Sequence, residues 1–342
     1  MNKGKNNEKF YLLLEILKEY SNQDNVLTRK EINVHMKNKG YEAIKDNRTI
    51  DGYVRNLIKL GHDIEVIEEN KNYKAYYLAS HEFEAHEIRI LSDCIYASKF
   101  ITKKKSAELV KKLCALNTID YIYCIERNSY IDDRAKTVNE EIFYNIDKID
   151  RAINENRKIL FNYYSYNEEK NFIPRLNDDN TIKEYCINPV SMILQRDKYY
   201  LVGENTNRGG VLSNYRIDRI KKVKILEDEI DNLNHIEECK NKFNPVDYTK
   251  KSFKMYAGKE VSKIILETSK KLLNVFIDEF GNDVNLEKID NDLYKVEFEA
   301  KMSRGLLMWI LQQGHNIKVV YPKVLIENIK EEVEKINNLY KQ

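Results

Sequence analysis

The chain has 342 residues, enough for two or three domains rather than one. Hydrophobic residues make up 42% and charged residues 33%, which is the balance of a globular chain and excludes a disordered one. The 57 basic residues nearly match the 55 acidic residues, for a formal net charge of +2. A surface that binds a polyanion therefore has to be local.

The sequence shows no pattern of a signal peptide, and no apolar run approaches the roughly 20 residues of a membrane span. We therefore expect a cytoplasmic protein without membrane contact. The 5 cysteines are odd in number, scattered, and without Cys-x-x-Cys spacing. This spacing favours reduced thiols over a zinc site or a disulfide framework, so we expect no metal and no cofactor.

Residues 1–80 open with two predicted helices. Apolar residues recur at helical spacing from Leu12 to Tyr20 and predict the first. The run Thr28-Arg29-Lys30-Glu31 has the pattern of a capping box, in which the Thr hydroxyl and the Glu carboxylate satisfy free backbone N–H groups. It predicts the start of a second helix that ends near Gly40.

A third helix is predicted from Arg48 to about Leu60, with Asp46 or Asn47 as its cap and Gly61 as its stop. One broad side of this helix is apolar and contains Ile50, Tyr53, Val54, Leu57, Ile58 and Leu60. The opposite stripe contains Arg48, Gly52, Arg55 and Lys59, flanked by Thr49 and Asn56. Segments 63–67 and 75–78 then flank a polar turn and predict a β-hairpin, the wing of a winged helix-turn-helix.

A helix that is apolar on one side and basic on the other, third in a compact unit, suits the major groove of DNA. The alternative is a charged face that only contacts solvent. The candidate DNA-binding residues are Arg29, Lys30, Lys45, Arg48, Thr49, Arg55, Asn56 and Lys59.

Residues 81–155 predict a helical connector. Helices are expected at about 83–99, 106–116 and 139–154, and the stretch from Tyr121 to Val138 is ambiguous between helix and extended chain. Two interpretations are open for the apolar stripes of these helices. They either form a dimerisation region or pack within their own domain.

Residues 156–230 change to strand character. Short β-like runs separated by polar turns occur at 159–164, 172–176, 183–189, 191–194, 198–203, 211–217 and 222–226. Short strands at such regular spacing predict a small β-barrel or a strongly bent sheet.

Two sequence runs in this region resemble the WYL domain of bacterial regulators, a barrel of the Sm/SH3-like type. The first is Asn188-Pro189 followed by Asp197-Lys198-Tyr199-Tyr200-Leu201-Val202-Gly203, and the second is Tyr215-Arg216-Ile217-Asp218-Arg219-Ile220. Tyr199 stands where the family has Trp. The aromatic character remains, and we expect Tyr199 to pack in the core.

The resemblance implies ligand sensing, with a nucleotide or an oligonucleotide bound on a basic, aromatic-lined face of the barrel. The residues that it implies for effector binding are Tyr163, Ser165, Arg175, Tyr200, Arg216 and Arg219. Arg offers a bidentate fork to phosphate, and Tyr offers a stacking face. The alternative for Arg219 is an internal ion pair with Asp218 that organises the barrel.

A polar segment from Asp228 to Lys251 separates the barrel from residues 250–342, where the predicted order is β-α-β-β-α-β with an appended helix from Pro322. This order is that of a ferredoxin-like domain. The run from Leu306 to Gly314 and the run Val319-Val320-Tyr321-Pro322 resemble the C-terminal (WCX-type) extension that accompanies WYL domains. Trp309 is either a ligand platform or, as we expect, a core residue.

The N-terminal segment resembles the DeoR-like winged helices that precede WYL domains. Arg48-Thr49-Ile50 is kept, but Asp51-Gly52-Tyr53 replaces the family's Tyr-Arg-Asp run, so the base-reading Arg is absent. A glycine inside a helix also costs about 1 kcal/mol relative to alanine. The predicted fold class is α+β, with a winged helix-turn-helix, a helical connector, a WYL barrel and a ferredoxin-like domain.

No catalytic motif stands out, so we expect a binding protein and not an enzyme. The leading hypothesis is a homodimeric transcriptional regulator that binds a double-stranded DNA operator and responds to a nucleotide or oligonucleotide effector. A second hypothesis is a sensor of single-stranded nucleic acid without sequence-specific duplex binding. A third is a protein-interaction scaffold that uses the C-terminal domain.

Overall fold

The computed structural model describes residues 2–70, 73–117, 136–195, 197–256, 258, 260–281 and 284–341. The chain divides into two compact units, Met1–Val138 and Asn139–Gln342. Most of the stretch that was ambiguous in the sequence, residues 121–135, lies outside the described residues.

The first unit is mainly helical and contains one small antiparallel sheet. Its elements are α1 (Asn2–Tyr20), β1 (Leu27–Thr28), α2 (Arg29–Asn38), α3 (Asn47–Lys59), β2 (Ile64–Asn70), β3 (Tyr73–Leu78), α4 (Ala85–Ala97) and α5 (Lys103–Cys114). The predicted order of three helices and a hairpin is present. The short strand β1 was not predicted, and it pairs with β3 to give the strand order β1-β3-β2.

The helix starts follow the predicted capping chemistry. Thr28 and Glu31 form a reciprocal capping box at the start of α2, and the Asp46 side chain accepts a hydrogen bond from the Arg48 N–H at the start of α3. The apolar side of α3 is narrower than predicted. Ile58 is 41% exposed and Leu60 is 69% exposed, because both lie at the edges of the apolar arc.

The second unit begins with a helix and a bent antiparallel sheet. These elements are α6 (Ile142–Asn154), β4 (Arg157–Tyr166), β5 (Phe172–Pro174), β6 (Glu184–Gln195), β7 (Lys198–Asn205), β8 (Leu212–Arg216) and β9 (Ile220–Glu229). The strands run in the order β5-β4-β6-β7-β8, and β9 pairs with β4. Two strands predicted at 183–189 and 191–194 form the single strand β6, which has a register shift between Pro189 and Ser191.

Helix α6 packs on this sheet. The Asn145 side-chain amide donates to the Ile220 carbonyl, and the Lys148 ammonium donates to the Val223 carbonyl. The sequence assigned this helix to the connector, whereas the division into compact units assigns it to the same unit as the sheet.

The segment predicted as a polar separator between domains shares a hydrophobic core with the bent sheet. It contains α7 (Pro245–Lys251). Its apolar residues pack against buried residues of the bent sheet, in a cluster formed by Ile193, Val202, Leu212, Ile236, Tyr248 and Met255. The buried Lys301 ammonium pairs with Glu238 and lies 4.4 Å from the centroid of the Tyr248 ring. These apolar contacts were not predicted, because polar and charged residues dominate the sequence of this segment.

The last part of the second unit is a four-stranded antiparallel sheet covered by helices. Its elements are β10 (Val261–Ser269), α8 (Leu273–Phe280), β11 (Asn285–Lys288), β12 (Leu293–Lys301), α9 (Arg304–Gln312), β13 (Ile317–Tyr321) and α10 (Lys323–Tyr340). The strand order is β11-β12-β10-β13. Trp309 is buried and packs against Phe253 and Phe276, so it is a core residue. At α10, Leu325 is buried, whereas Leu339 at the far end is 73% exposed.

Gly203 provides a test of the packing between β6 and β7. A Cβ there would lie 2.6 Å from both the Asn188 carbonyl oxygen and the Ile187 Cγ2 atom. We expect Gly203→Ala to lower the free energy of unfolding by about 1–3 kcal/mol in urea denaturation, because backbone and core have to move apart. Gly52→Ala is the control, since a Cβ at Gly52 would meet nothing within 4 Å. It should be stabilising by about 0.5–1 kcal/mol, and an equal effect of both changes would contradict this packing.

Candidate nucleic-acid interface and effector site

The exposed side of α3 carries a basic stripe. Arg48, Arg55, Asn56 and Lys59 are exposed, while Ile50, Val54 and Leu57 on the opposite side are buried. The Arg48 side chain is 94% exposed and lies 3.9 Å from Asp46 at its nearest approach. Because nothing lies within 4 Å of a Cβ built on Gly52, this side of the helix is open to a ligand.

The other DNA-binding candidates lie in different environments. Lys30 at the start of α2 and Lys45 in the loop before α3 are exposed, and Thr49 is half-buried. Arg29 is committed to an internal ion pair. Its Nε and Nη2 atoms donate to the two carboxylate oxygens of Asp51 at 2.9 and 2.7 Å. These two donors are therefore occupied by Asp51 in the structure.

Asp51 is the centre of a polar cluster that the sequence analysis did not anticipate. The Tyr76 hydroxyl donates to Asp51 Oδ1 at 2.5 Å, and the Lys74 ammonium lies 3.7 Å from Asp51 Oδ2. Burial favours the neutral acid, but the hydrogen bonds from Arg29 and Tyr76 outweigh it and hold the pKa of Asp51 below its usual value. The cluster joins α2, α3 and the hairpin, so Asp51 has a structural role.

The candidate effector residues of the bent sheet converge on Tyr163. Tyr163 is buried on β4, its hydroxyl accepts a hydrogen bond from the Arg216 N–H at 3.2 Å, and the Arg175 guanidinium lies 5.0 Å from its ring centroid. Tyr200 is directly opposite Arg216 on the paired strands β7 and β8. Burial raises the pKa of Tyr163 and of Tyr200, so both hydroxyls are neutral hydrogen-bonding groups near pH 7.

The remaining residues of this group are less deeply placed. Ser165 is two positions from Tyr163 along β4 and therefore on the same face of the strand, and it is half-buried. Tyr199, which we expected to pack in the core, is half-buried.

Asp218 forms its ion pair with a different arginine from the one that the sequence suggested. Arg216, rather than Arg219, pairs with Asp218, donating from Nε and Nη2 to the two carboxylate oxygens at 3.0 and 2.6 Å. The Asp218 side chain is only 6% exposed. Arg219 is half-buried and has no ion pair or hydrogen bond through its side chain within the part of the chain that the structure describes. It is therefore available to an anionic ligand.

Two buried asparagines hold the turn that carries these charges, and sequence reasoning missed both. The Asn139 side-chain amide donates to the carbonyls of Asp218 at 3.1 Å and Ile220 at 2.8 Å, and the Asn145 amide donates to the same Ile220 carbonyl at 2.8 Å. Their only signal in the sequence is a polar residue within an apolar helical pattern.

Residues 144–225 match the family model of the WYL domain, so the chain contains this domain, as the two sequence runs implied. No curated protein matches the chain.

Among solved structures, the proteasome accessory factor B/C (PafBC) of Arthrobacter aurescens is similar at 13% sequence identity and a TM-score of 0.27. The match covers 98% of this chain and 49% of that protein, so the chain spans about half of its length. A likeness at this TM-score supports no conclusion about fold or function.

Within the described residues, no helix is both long and apolar enough to cross a membrane. The same part of the chain has no group of three or more His, Cys, Asp or Glu side chains placed to hold a metal ion. The cysteines in that part, Cys94, Cys114, Cys186 and Cys239, are free thiols.

The Asp51 cluster predicts an acid-sensitive first unit. We expect Asp51→Asn to lower the free energy of unfolding by about 1–3 kcal/mol at neutral pH, because Arg29 loses its charged partner. Since the folded-state pKa of Asp51 is lowered, its contribution is present above about pH 4 and is lost as the pH falls further. The difference between variant and wild type in thermal denaturation should therefore shrink at low pH. Glu68→Gln, at an exposed partner of Lys74, is the control and should have little effect at any pH.

Arg216 and Arg219 should contribute unequally to stability. Arg216→Ala leaves the buried Asp218 carboxylate without its partner and should cost about 3 kcal/mol in urea denaturation. Arg219→Ala removes no internal partner and should change stability by less than about 0.5 kcal/mol. Equal losses of stability in the two variants would show that both arginines stabilise the buried Asp218 carboxylate.

Proposed function

We propose that the chain is a transcriptional regulator that binds double-stranded DNA through α3 and responds to a nucleotide or oligonucleotide at its WYL domain. The observation that carries the proposal is the side of α3 that exposes Arg48, Arg55 and Lys59 while its opposite side is buried. It is the arrangement of a recognition helix in the major groove.

The elements around α3 support a winged helix-turn-helix. A three-helix unit is followed by the hairpin of β2 and β3, and the Asp51 cluster ties this hairpin to α3. In the proposal, the exposed basic residues contact phosphates and Thr49 and Asn56 lie at base edges. The protein acts as a homodimer, so that two recognition helices meet two half-sites of an operator.

The face around Tyr163 supports the effector half of the proposal. It combines aromatic rings with Arg175, Arg216 and Arg219, which suit a ligand that has both phosphate and base. If the free energies of effector binding to the two states of the regulator differ by about 1–3 kcal/mol, the affinity for the operator changes about 5- to 150-fold. The proposal is for a binding protein and includes no catalytic step and no cofactor.

The C-terminal sheet supports a ferredoxin-like domain. Its element order is β-α-β-β-α-β, and its strand order is β11-β12-β10-β13. The exposed apolar residues at the end of α10, Val333, Ile336 and Leu339, offer one surface for the proposed homodimer.

A second candidate function is a sensor of single-stranded nucleic acid that does not recognise a duplex sequence. Two observations favour it. Arg29 is held by Asp51, and Gly52 occupies the middle of the exposed side of α3. Both reduce the number of side chains that can contact DNA bases.

Measurement of duplex binding at a series of salt concentrations tests the proposal. The wild-type protein should bind the duplex upstream of its own gene more tightly than an unrelated duplex. The combined change of Arg48, Arg55 and Lys59 to Ala should weaken binding at least about tenfold. It should also reduce the slope of log K against log salt by about 0.9 for each phosphate that the variant no longer neutralises. Fluorescence anisotropy gives both quantities.

The matched control changes Lys104, Lys111 and Lys112 to Ala. These lysines are exposed on α5 of the same unit, so the change in net charge is the same. We expect this control to retain the wild-type preference for the upstream duplex. Equal, weak and steeply salt-dependent binding of both duplexes by the wild-type protein would refute sequence-specific recognition and favour the second candidate function.

A further inference from the structure

The second unit begins at a residue that is attached to the candidate effector site. Asn139 is fully buried, and its side-chain amide donates to the carbonyls of Asp218 and Ile220 at 3.1 and 2.8 Å. Its side-chain oxygen accepts a hydrogen bond from the Glu141 N–H at 3.1 Å. The position of Asn139 is therefore set by the backbone of the turn that carries Arg216 and Arg219.

The first unit ends at residues that are attached to the loop after α4 and to α5. The Thr137 N–H donates to the Lys99 carbonyl at 2.9 Å. The Lys136 ammonium donates to the Ser98 carbonyl at 2.8 Å and to the Ser106 hydroxyl at 2.9 Å. Val138, which is 63% exposed, separates these attachments from Asn139. Because consecutive Cα atoms lie a fixed distance of about 3.8 Å apart, a connection of one residue takes up little displacement.

An anion that binds at the effector site disturbs the ion pair between Arg216 and Asp218 at the turn 217–219. A phosphate group that binds Arg219 and Arg216 competes with Asp218 for the Arg216 guanidinium and repels the Asp218 carboxylate. The Asp218 side chain is 6% exposed and tightly surrounded, so it has little room to rotate alone. The backbone of Asp218 has to shift instead, and its carbonyl is an acceptor of Asn139.

From these contacts we infer that Asn139 is a positioning residue that transmits effector binding from the turn at 217–219 to the end of the first unit. The inference rests on the proposed function, because it requires an anionic ligand at Arg216 and Arg219. It adds the route by which the ligand acts. Movement of the turn displaces Asn139. Because only Val138 lies between Asn139 and Thr137, this displacement strains the hydrogen bond from the Thr137 N–H to the Lys99 carbonyl.

The chain offers a matched control for this role. Asn145 donates to the same Ile220 carbonyl as Asn139, at the same distance of 2.8 Å, but lies within α6 rather than next to the connection between units. Asn139→Ala and Asn145→Ala thus each remove a buried amide from the Ile220 carbonyl, and Asn139→Ala also removes it from the Asp218 carbonyl. If these amides only stabilise the turn, both variants should lose stability and both should keep the exchange response at Thr137.

The experiment is hydrogen exchange of the full-length protein with and without a short oligothymidylate, resolved at the Thr137 amide by overlapping peptides. In the wild-type protein we expect the oligonucleotide to change this exchange rate about fivefold or more, the lower end of couplings between distinct sites. Asn139→Ala should still bind the oligonucleotide, measured by anisotropy, but should lose the exchange response. Asn145→Ala should keep both.

The outcomes separate the inference from the function on which it rests. If the wild-type protein does not bind the oligonucleotide, the effector half of the proposed function is wrong and the inference with it. If the wild-type protein binds but exchange at Thr137 does not change, or if Asn139→Ala keeps the response, the inference alone is wrong. Should Asn139→Ala fail to fold, an unchanged exchange rate at Thr137 in the wild-type protein with bound oligonucleotide would still contradict the inference.

Discussion

The buried carboxylate of Asp218 is the constraint around which the effector face is built. A buried charge needs a partner, and Arg216 supplies it from two residues away through a bidentate contact. This pairing fixes the turn between β8 and β9, whose carbonyls are then held by Asn139 and Asn145. Arg216 therefore has a partner before any ligand binds, whereas the Arg219 side chain has no ion pair within the described residues. An anionic ligand at this site meets Arg219 directly and has to compete with Asp218 for Arg216.

The same principle operates in the first unit at Asp51. An acidic residue at the start of a basic helix weakens a surface for DNA, and here it also takes Arg29 out of that surface. In return, the cluster with Tyr76 and Lys74 attaches the hairpin to α3. The basic stripe that remains belongs to side chains that point to solvent, and these are the residues that the proposed function uses. In both units, an acidic residue forms a bidentate ion pair with one arginine and so fixes the position of that arginine.

Local patterns predicted the helices and strands well where one face of an element is apolar. The capping box at Thr28, the stop at Gly61 and the strand alternation around Phe298 all depend on near neighbours, and each corresponds to an observed element. The predictions were weaker where a segment is polar overall. The segment 228–251 was interpreted as a separator, yet Ile236 and Tyr248 pack on the bent sheet. A few apolar residues among many charges have no periodicity to reveal them.

The sequence by itself determined the α+β class, the order of elements and the presence of the WYL runs, because these follow from spacing along the chain. It also placed Tyr163, Tyr200 and Arg216 among the candidate effector residues. Only the tertiary structure decided which charged groups and which buried polar groups become partners. Arg29 and Asp51 are 22 residues apart, and Asn139 and Ile220 are 81 residues apart. Contacts over such separations depend on how strands and helices pack, and an ion pair forms only where that packing brings both groups into bonding distance.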